Sequence, residues 1–240
     1  MSYGVTFPLL RKAAGAHWPD YTEHAFVAGL GDGTLPRVAY LRYLVQDYLY
    51  LIQYGRAWAL AVTMADTLED MRACAKTVQT LIGTEIHLHV QTCGAAGISE
   101  AALFASEEKL ETIAYTRFVL DAGHSGDFLD LLMALAPCAF GYAVDDHIDI
   151  ANLCLGRRNL RICVRRHYCP CRFEPEIAPR PFGHAGQKPG ELARIQRLAN
   201  HASRGKVDFF RLAPDSACRS SGSRCSRSFA LLASERIGIA

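Results

Sequence analysis

None of the apolar runs in the 240 residues reaches the roughly 20 that a membrane-spanning helix needs. The opening stretch MSYGVTFPLLRKAAG lacks a charged region followed by an unbroken apolar run. No signal peptide is read there, and the expected location is the cytoplasm, with no membrane partner. In that compartment the nine cysteines are expected as thiols, not as a disulfide framework. No segment alternates with period two between hairpin turns, which argues against a sheet. Nor is there an HExxH motif to carry a metal.

The chain also lacks a marked net charge, at +2, but that balance hides a division. Residues 1–148 hold nine Lys or Arg against seventeen Asp or Glu, a net of −8. Residues 149–240 hold seventeen against seven, a net of +10. The second part has little aromatic content: nine of ten Tyr and both Trp lie in the first. It has instead six of the nine Cys and six of the ten Pro. Two unlike pieces sum to a near-neutral protein.

What the first part does have is helical periodicity. Residues 36–64 are aliphatic and aromatic nearly all round, as in a central buried helix, and Pro36 suits its first turn. The preceding GLGDGTL, with Gly29, Gly31 and Gly33, reads as a loop. Residues 67–93 follow, with Thr67 as N-cap and Asp70 three residues on. Further helices are expected over 98–104, 109–122 and 126–146, the last kinked at Pro137, with shorter ones over 5–15 and 20–28. The expected architecture is an all-α bundle.

Certain polar groups fall on apolar faces. Asp47 interrupts YLVQDYLYLI, with Tyr50 and Tyr54 three and seven residues on, along the same face. A carboxylate there needs compensating partners or a cavity, so it is either a structural Asp bonded to tyrosine hydroxyls or part of a site. Cys138 and Tyr142 form an i, i+4 pair after Pro137. A cysteine in an apolar helix is ordinarily a small core residue; it becomes a nucleophile only where its thiolate is available. In TEIHLHV, Glu85 and His89 share a face, which suits a Glu–His hydrogen bond better than a metal site.

Taken in order, AFVAGLGDGTLP, YLVQDYLYL, ETIAYT and LAPCAFGY resemble the TenA family, also called thiaminase II, over about residues 17–143. The resemblance implies a haem-oxygenase-like helical bundle, usually a homotetramer, with no metal, haem or other cofactor. It implies hydrolysis of 4-amino-5-aminomethyl-2-methylpyrimidine to the hydroxymethylpyrimidine, and in many members cleavage of thiamin. Asp47 then matches the aspartate that bonds the aminopyrimidine. Tyr50, Tyr115 and Tyr142 match pocket tyrosines, and Cys138 matches the nucleophile. A catalytic glutamate is expected from the C-terminal helices.

Beyond about residue 144 the resemblance stops. The excess of Arg, Cys, Pro and Ser is what an out-of-frame reading of a GC-rich gene produces, so a frameshift relative to the family is expected from there. A helical domain over 1–148 is thus followed by an atypical basic tail over 149–240, irregular or partly disordered. Within the tail, residues 190–203 can form a helix. Cys163, His167, Cys169 and Cys171 have the residue types of a zinc site, but their C-x-C spacing departs from the usual C-x2-C. Sparse aromatics and the lack of a known motif argue against nucleic acid as a partner. Glu191 and Asp208 are the only acids to name for the missing glutamate. Besides an active hydrolase, a catalytically impaired pyrimidine-binding or regulatory relative stays open.

Overall fold

The computed structural model describes residues 6–144 and 191–210, all in helices or the short links between them. The helices are α1 (Thr6–Ala14), α2 (His17–Thr22), α3 (Ala25–Asp32), α4 (Arg37–Met64) and α5 (Leu68–Thr80). They continue with α6 (Ile86–Ala95), α7 (Glu100–Phe104), α8 (Leu110–Ser125), α9 (Phe128–Val144) and α10 (Glu191–Phe210). There is no strand among the described residues, so the all-α expectation holds. No helix among them is long and apolar enough to cross a membrane.

Helix α4 is the axis. At 1.5 Å per residue its 28 residues run about 42 Å. One face buries Tyr50, Tyr54, Ala57, Trp58 and Ala61 in the main core, with Tyr115 and Val119 of α8 and Leu131 to Ala136 of α9. Another face buries Leu44, Tyr48 and Leu49 in a smaller cluster with Cys93 of α6 and Leu103 of α7. Helix α10 closes the main core. It packs on α9, α1, α2 and α8, burying Ala199, Ala202 and Val207. Residues 191–210 therefore belong to the bundle, although they lie in the basic part of the sequence.

Local chemistry sets the boundaries. The Thr67 hydroxyl accepts from the Asp70 amide at 3.1 Å, as its N-cap position requires. Asp127 and Asp130 accept each other's backbone N–H at 3.0 and 2.9 Å, a reciprocal cap that starts α9. The loop expected over GLGDGTL is a correction: α3 runs through Gly29 and Gly31 and stops only at Gly33, whose φ of 78° suits a left-handed helix end. The helix expected over 20–28 is two helices, parted at Glu23 and His24, where the His24 ring accepts from the Phe26 amide. The helix expected over 67–93 is interrupted by a π turn at Leu81–Glu85. Such a turn inserts one extra residue and rotates the following side chains by about 100°.

Candidate active site

The site is built where α4, α8, α9 and α10 meet. On α4, Tyr50 stacks on Tyr54 with ring centroids 5.2 Å apart. On its other side Tyr50 lies nearly parallel to Tyr115 of α8, at 5.7 Å and 9°. Trp58 meets Tyr54 edge-on at 6.2 Å. The three tyrosines and Trp58 are each at most 5% exposed. Four flat rings in one buried group form a wall suited to a flat aromatic ligand. The hydroxyls of Tyr54 and Tyr115 are buried within this group.

Cys138 faces this wall from α9. Pro137 before it has no N–H to return to the Met133 carbonyl, so the helix is locally loosened where the thiol sits. The thiol is buried, at 6% exposure. Burial pushes its pKa up, and the charge of Lys206 with the hydroxyls of Tyr50 and Tyr54 offsets this only in part, while Glu85 adds to it, so the thiol stays raised. The tyrosines move the other way. Burial, then the nearby thiolate, raise Tyr50 and Tyr54 well above the usual phenol range. The same two causes act on Tyr115. They remain neutral donors over the range in which a cysteine titrates.

Asp47 is 6% exposed, and its partner is not a tyrosine. Its Oδ2 lies 2.9 Å from Nε2 of His89 on α6. The other ring nitrogen, Nδ1, lies 2.9 Å from the Glu85 carbonyl oxygen. A carbonyl can only accept, so Nδ1 carries a proton. With Asp47 ionised, Nε2 must donate as well, and the pair is then an imidazolium–carboxylate. Burial lowers the His89 pKa, but the hydrogen bond and charge of Asp47, with smaller help from Glu85, outweigh it and leave it raised. The expected Glu85–His89 hydrogen bond exists only through the Glu85 main chain. Among the described residues no group of three metal-binding side chains occurs.

Of the residues expected from the sequence, Tyr50, Tyr115 and Cys138 are brought together. Asp47 lies one turn before Tyr50 on α4, tied to His89. The side chain of Tyr142 lies outside the described residues, as does that of Glu191. So do Cys163, His167, Cys169 and Cys171. Asp208 is half-buried. Sequence reasoning missed Lys206. This residue is fully buried, with Nζ 4.0 Å from the centroid of the Tyr50 ring and 5.2 Å from that of Tyr115. The signal was available: Ala199, Ala202 and Lys206 follow three- and four-residue steps, which put the lysine on the buried stripe of α10. Gly205 allows the approach. A Cβ there would lie 2.8 Å from the Tyr115 ring.

Comparison with known proteins places this arrangement. The model of the TENA/THI-4/PQQC family matches residues 11–147. An uncharacterized protein of Haemophilus influenzae is 34% identical over 227 residues, covering 87% of this chain and 98% of its own. An aminopyrimidine aminohydrolase of Halalkalibacterium halodurans is 36% identical over 133 residues, or 55% of this chain and 59% of that one. The crystal structure of a TenA family transcription regulator from Silicibacter is 38% identical with a TM-score of 0.74, covering 88% of this chain and 97% of that one.

Proposed function

The chain belongs to the TENA/THI-4/PQQC family, and we propose that it is an aminopyrimidine aminohydrolase acting in thiamin salvage through Cys138. The reading is carried by one juxtaposition: a buried thiol against a wall of stacked aromatic rings. The relatives from Halalkalibacterium halodurans, Helicobacter pylori and Bacillus subtilis that bear the aminohydrolase name support the substrate class.

The substrate ring is flat and electron-poor, and suits stacking against an aromatic face. The Cys138 thiolate adds to a ring carbon and breaks its aromaticity. The electron pair then expels the amine from the 5-methylene; with a proton gained it leaves as ammonia. Water adds to the exposed methylene, the thiolate departs, and the ring regains aromaticity as the hydroxymethyl product. One water is consumed and one ammonia released. Asp47 orients the aminopyrimidine, with His89 holding the carboxylate in place. Tyr50 and Tyr54 donate to the sulfur while it carries charge. Tyr115 belongs to the aromatic wall, and the family resemblance gives Tyr142, one turn beyond Cys138 in sequence, the same substrate-binding role. No metal or other cofactor is called for, and a homotetramer in the cytoplasm is the expected assembly and setting.

The test is incubation of the purified chain with 4-amino-5-aminomethyl-2-methylpyrimidine and with thiamin, following hydroxymethylpyrimidine by chromatography. Catalytic release from the aminomethyl compound is expected. Tight binding of the product without turnover would instead support a pyrimidine-binding relative without catalysis. That second reading turns on the acid expected from the C-terminal helices: of the two named for it, Asp208 is half-buried on α10 and the Glu191 side chain lies outside the described residues.

A further inference from the structure

The His89 ring is held at both ends. Its Nε2 lies 2.9 Å from Oδ2 of Asp47 on α4, and its Nδ1 lies 2.9 Å from the Glu85 carbonyl at the end of the π turn. A carbonyl can only accept, and so can an ionised carboxylate. A neutral imidazole has one N–H and serves one of them; the imidazolium has two and serves both. Losing the proton sets a nitrogen lone pair against an oxygen lone pair at one end of the ring. Side-chain exposure is 13% for His89 and 8% for Asp47, so water is poorly placed to relieve that contact. Among the described residues His89 is the only hydrogen-bond partner of the Asp47 carboxylate, and it takes Oδ2. Oδ1 is left to accept from a ligand, and the amino group of an aminopyrimidine is such a donor.

We propose that His89 is a positioning residue whose proton sets pyrimidine affinity: as an imidazolium it clamps Asp47 through Oδ2 and leaves Oδ1 for the ligand's amino group, and on losing that proton it gives up one of its two anchors and frees the carboxylate to move. The inference rests on the aminopyrimidine reading of the site. The groups around the ring agree with it. Asp47 comes from α4 and Glu85 from the π turn. Burial acts to lower the His89 pKa, but the hydrogen bond and charge of Asp47, then Glu85, outweigh it and leave it above its ordinary 6.5. Helix α7, also packed on α6, brings Glu100, whose charge acts on Tyr48. On α6 itself, His87 is exposed and bonded to Gln91 at 2.9 Å. Affinity and protonation are then linked in both directions. Affinity falls as pH rises through the His89 pKa of the free chain, and bound pyrimidine raises that pKa.

The experiment follows the His89 ring nitrogens by NMR in the full chain, assigned through the residue's own backbone amide, with and without the hydroxymethylpyrimidine. Calorimetry gives the affinity for the same compound from about pH 6 to 9. In the free chain both ring nitrogens are expected to carry protons at the acid end; a single protonated nitrogen at about pH 6 overturns the clamp. With the pyrimidine bound, the His89 titration is expected to move up by about one pH unit, and affinity to fall about tenfold across the range. A ring nitrogen of the ligand can take up a proton over the same range. The wild type is therefore read against His89→Gln, whose amide can still donate to Asp47 but does not titrate, and the fall is expected beyond any that this variant shows. Equal pH dependence in the two chains, or a His89 titration unmoved by the ligand, overturns the proposal. The wild-type titrations decide it even where the variant fails to fold. A chain that binds no pyrimidine at any pH overturns the functional reading and this inference with it; one that binds it with His89 unmoved overturns the inference alone.

Discussion

One face of α4 turns Tyr50, Tyr54, Ala57 and Trp58 towards α8, α9 and α10; another turns Leu44, Tyr48 and Leu49 towards α6 and α7. Each side encloses a cysteine, Cys138 at 6% exposure and Cys93 at 0%. Cys93 sits in an aliphatic and aromatic cluster, and burial is what raises its thiol. Around Cys138 there are phenol hydroxyls and a lysine. Burial by itself makes a cysteine inert, and reactivity comes from what is buried with it.

The sharpest way to break this contrast is to remove each sulfur. Cys138→Ala is expected to lower kcat for the aminopyrimidine by more than about 10³-fold, since the covalent route is lost. Cys93→Ala is expected to leave kcat within about twofold and to cost roughly 1 kcal/mol of stability, as a small cavity does. Equal rates for Cys138→Ala and the wild type would sink the covalent mechanism.

The quieter face of α4 should reveal itself through stability. Gln46 is 6% exposed and ties α4 to the start of α8. Its amide donates to the Glu107 carbonyl at 3.0 Å. Its Oε1 accepts from the Lys109 N–H and the Thr112 hydroxyl, both at 2.9 Å. Gln46→Ala leaves those groups without their partner, at an expected cost of about 2–3 kcal/mol in urea unfolding. A loss below about 0.5 kcal/mol would mean that water replaces the side chain without penalty.

How much of this was legible in sequence depends on whether the signal was local. The apolar run 36–64 announced α4, and Thr67 announced the start of α5, because caps and periodicity act within a turn or two. GLGDGTL misled because three glycines read as a break, whereas only Gly33 adopts a positive φ. The π turn at 81–85 had no signature, since it is defined by a register change between two regular helices. Within the site, spacing along α4 and α9 placed Asp47, Tyr50 and Cys138 on their helices. Spacing could not pair Asp47 with His89, 42 residues away. Nor could it bring Lys206 to Tyr50, because that contact depends on how α10 packs and on the missing Cβ of Gly205.

The Asp47–His89 pair joins the two faces and predicts a pH signature. His89 has a raised pKa when folded, so it contributes stability fully present below its unfolded value of about 6.5. That contribution is lost as pH rises through the folded value. Unfolding free energy measured from about pH 5 to 9 should therefore fall across this window in the wild type. Asp47→Asn removes the charge that raises His89, so the fall should flatten. A slope that survives Asp47→Asn would assign it to another group.

The smallest effect is expected at the outer clamp of α10. Arg194 reaches Asp127 at 2.9 Å and Asp130 at 3.1 Å, across the start of α9. Burial acts to raise the Asp127 pKa, but Arg194 and the Asp130 N–H lower it further, so this carboxylate stabilises the fold above the usual range and loses that role in acid. Yet Arg194 is 38% exposed and Asp127 57%, so solvent screens the pair. Arg194→Gln should cost less than about 1 kcal/mol, and the difference from the wild type should shrink in about 1 M salt. What holds α10 is the burial of Ala199, Ala202 and Val207 against the main core. Hydrolysis should then be unchanged in Arg194→Gln. A lower rate would mean that this exposed ion pair, and not the packing of α10, sets how the helix closes the site.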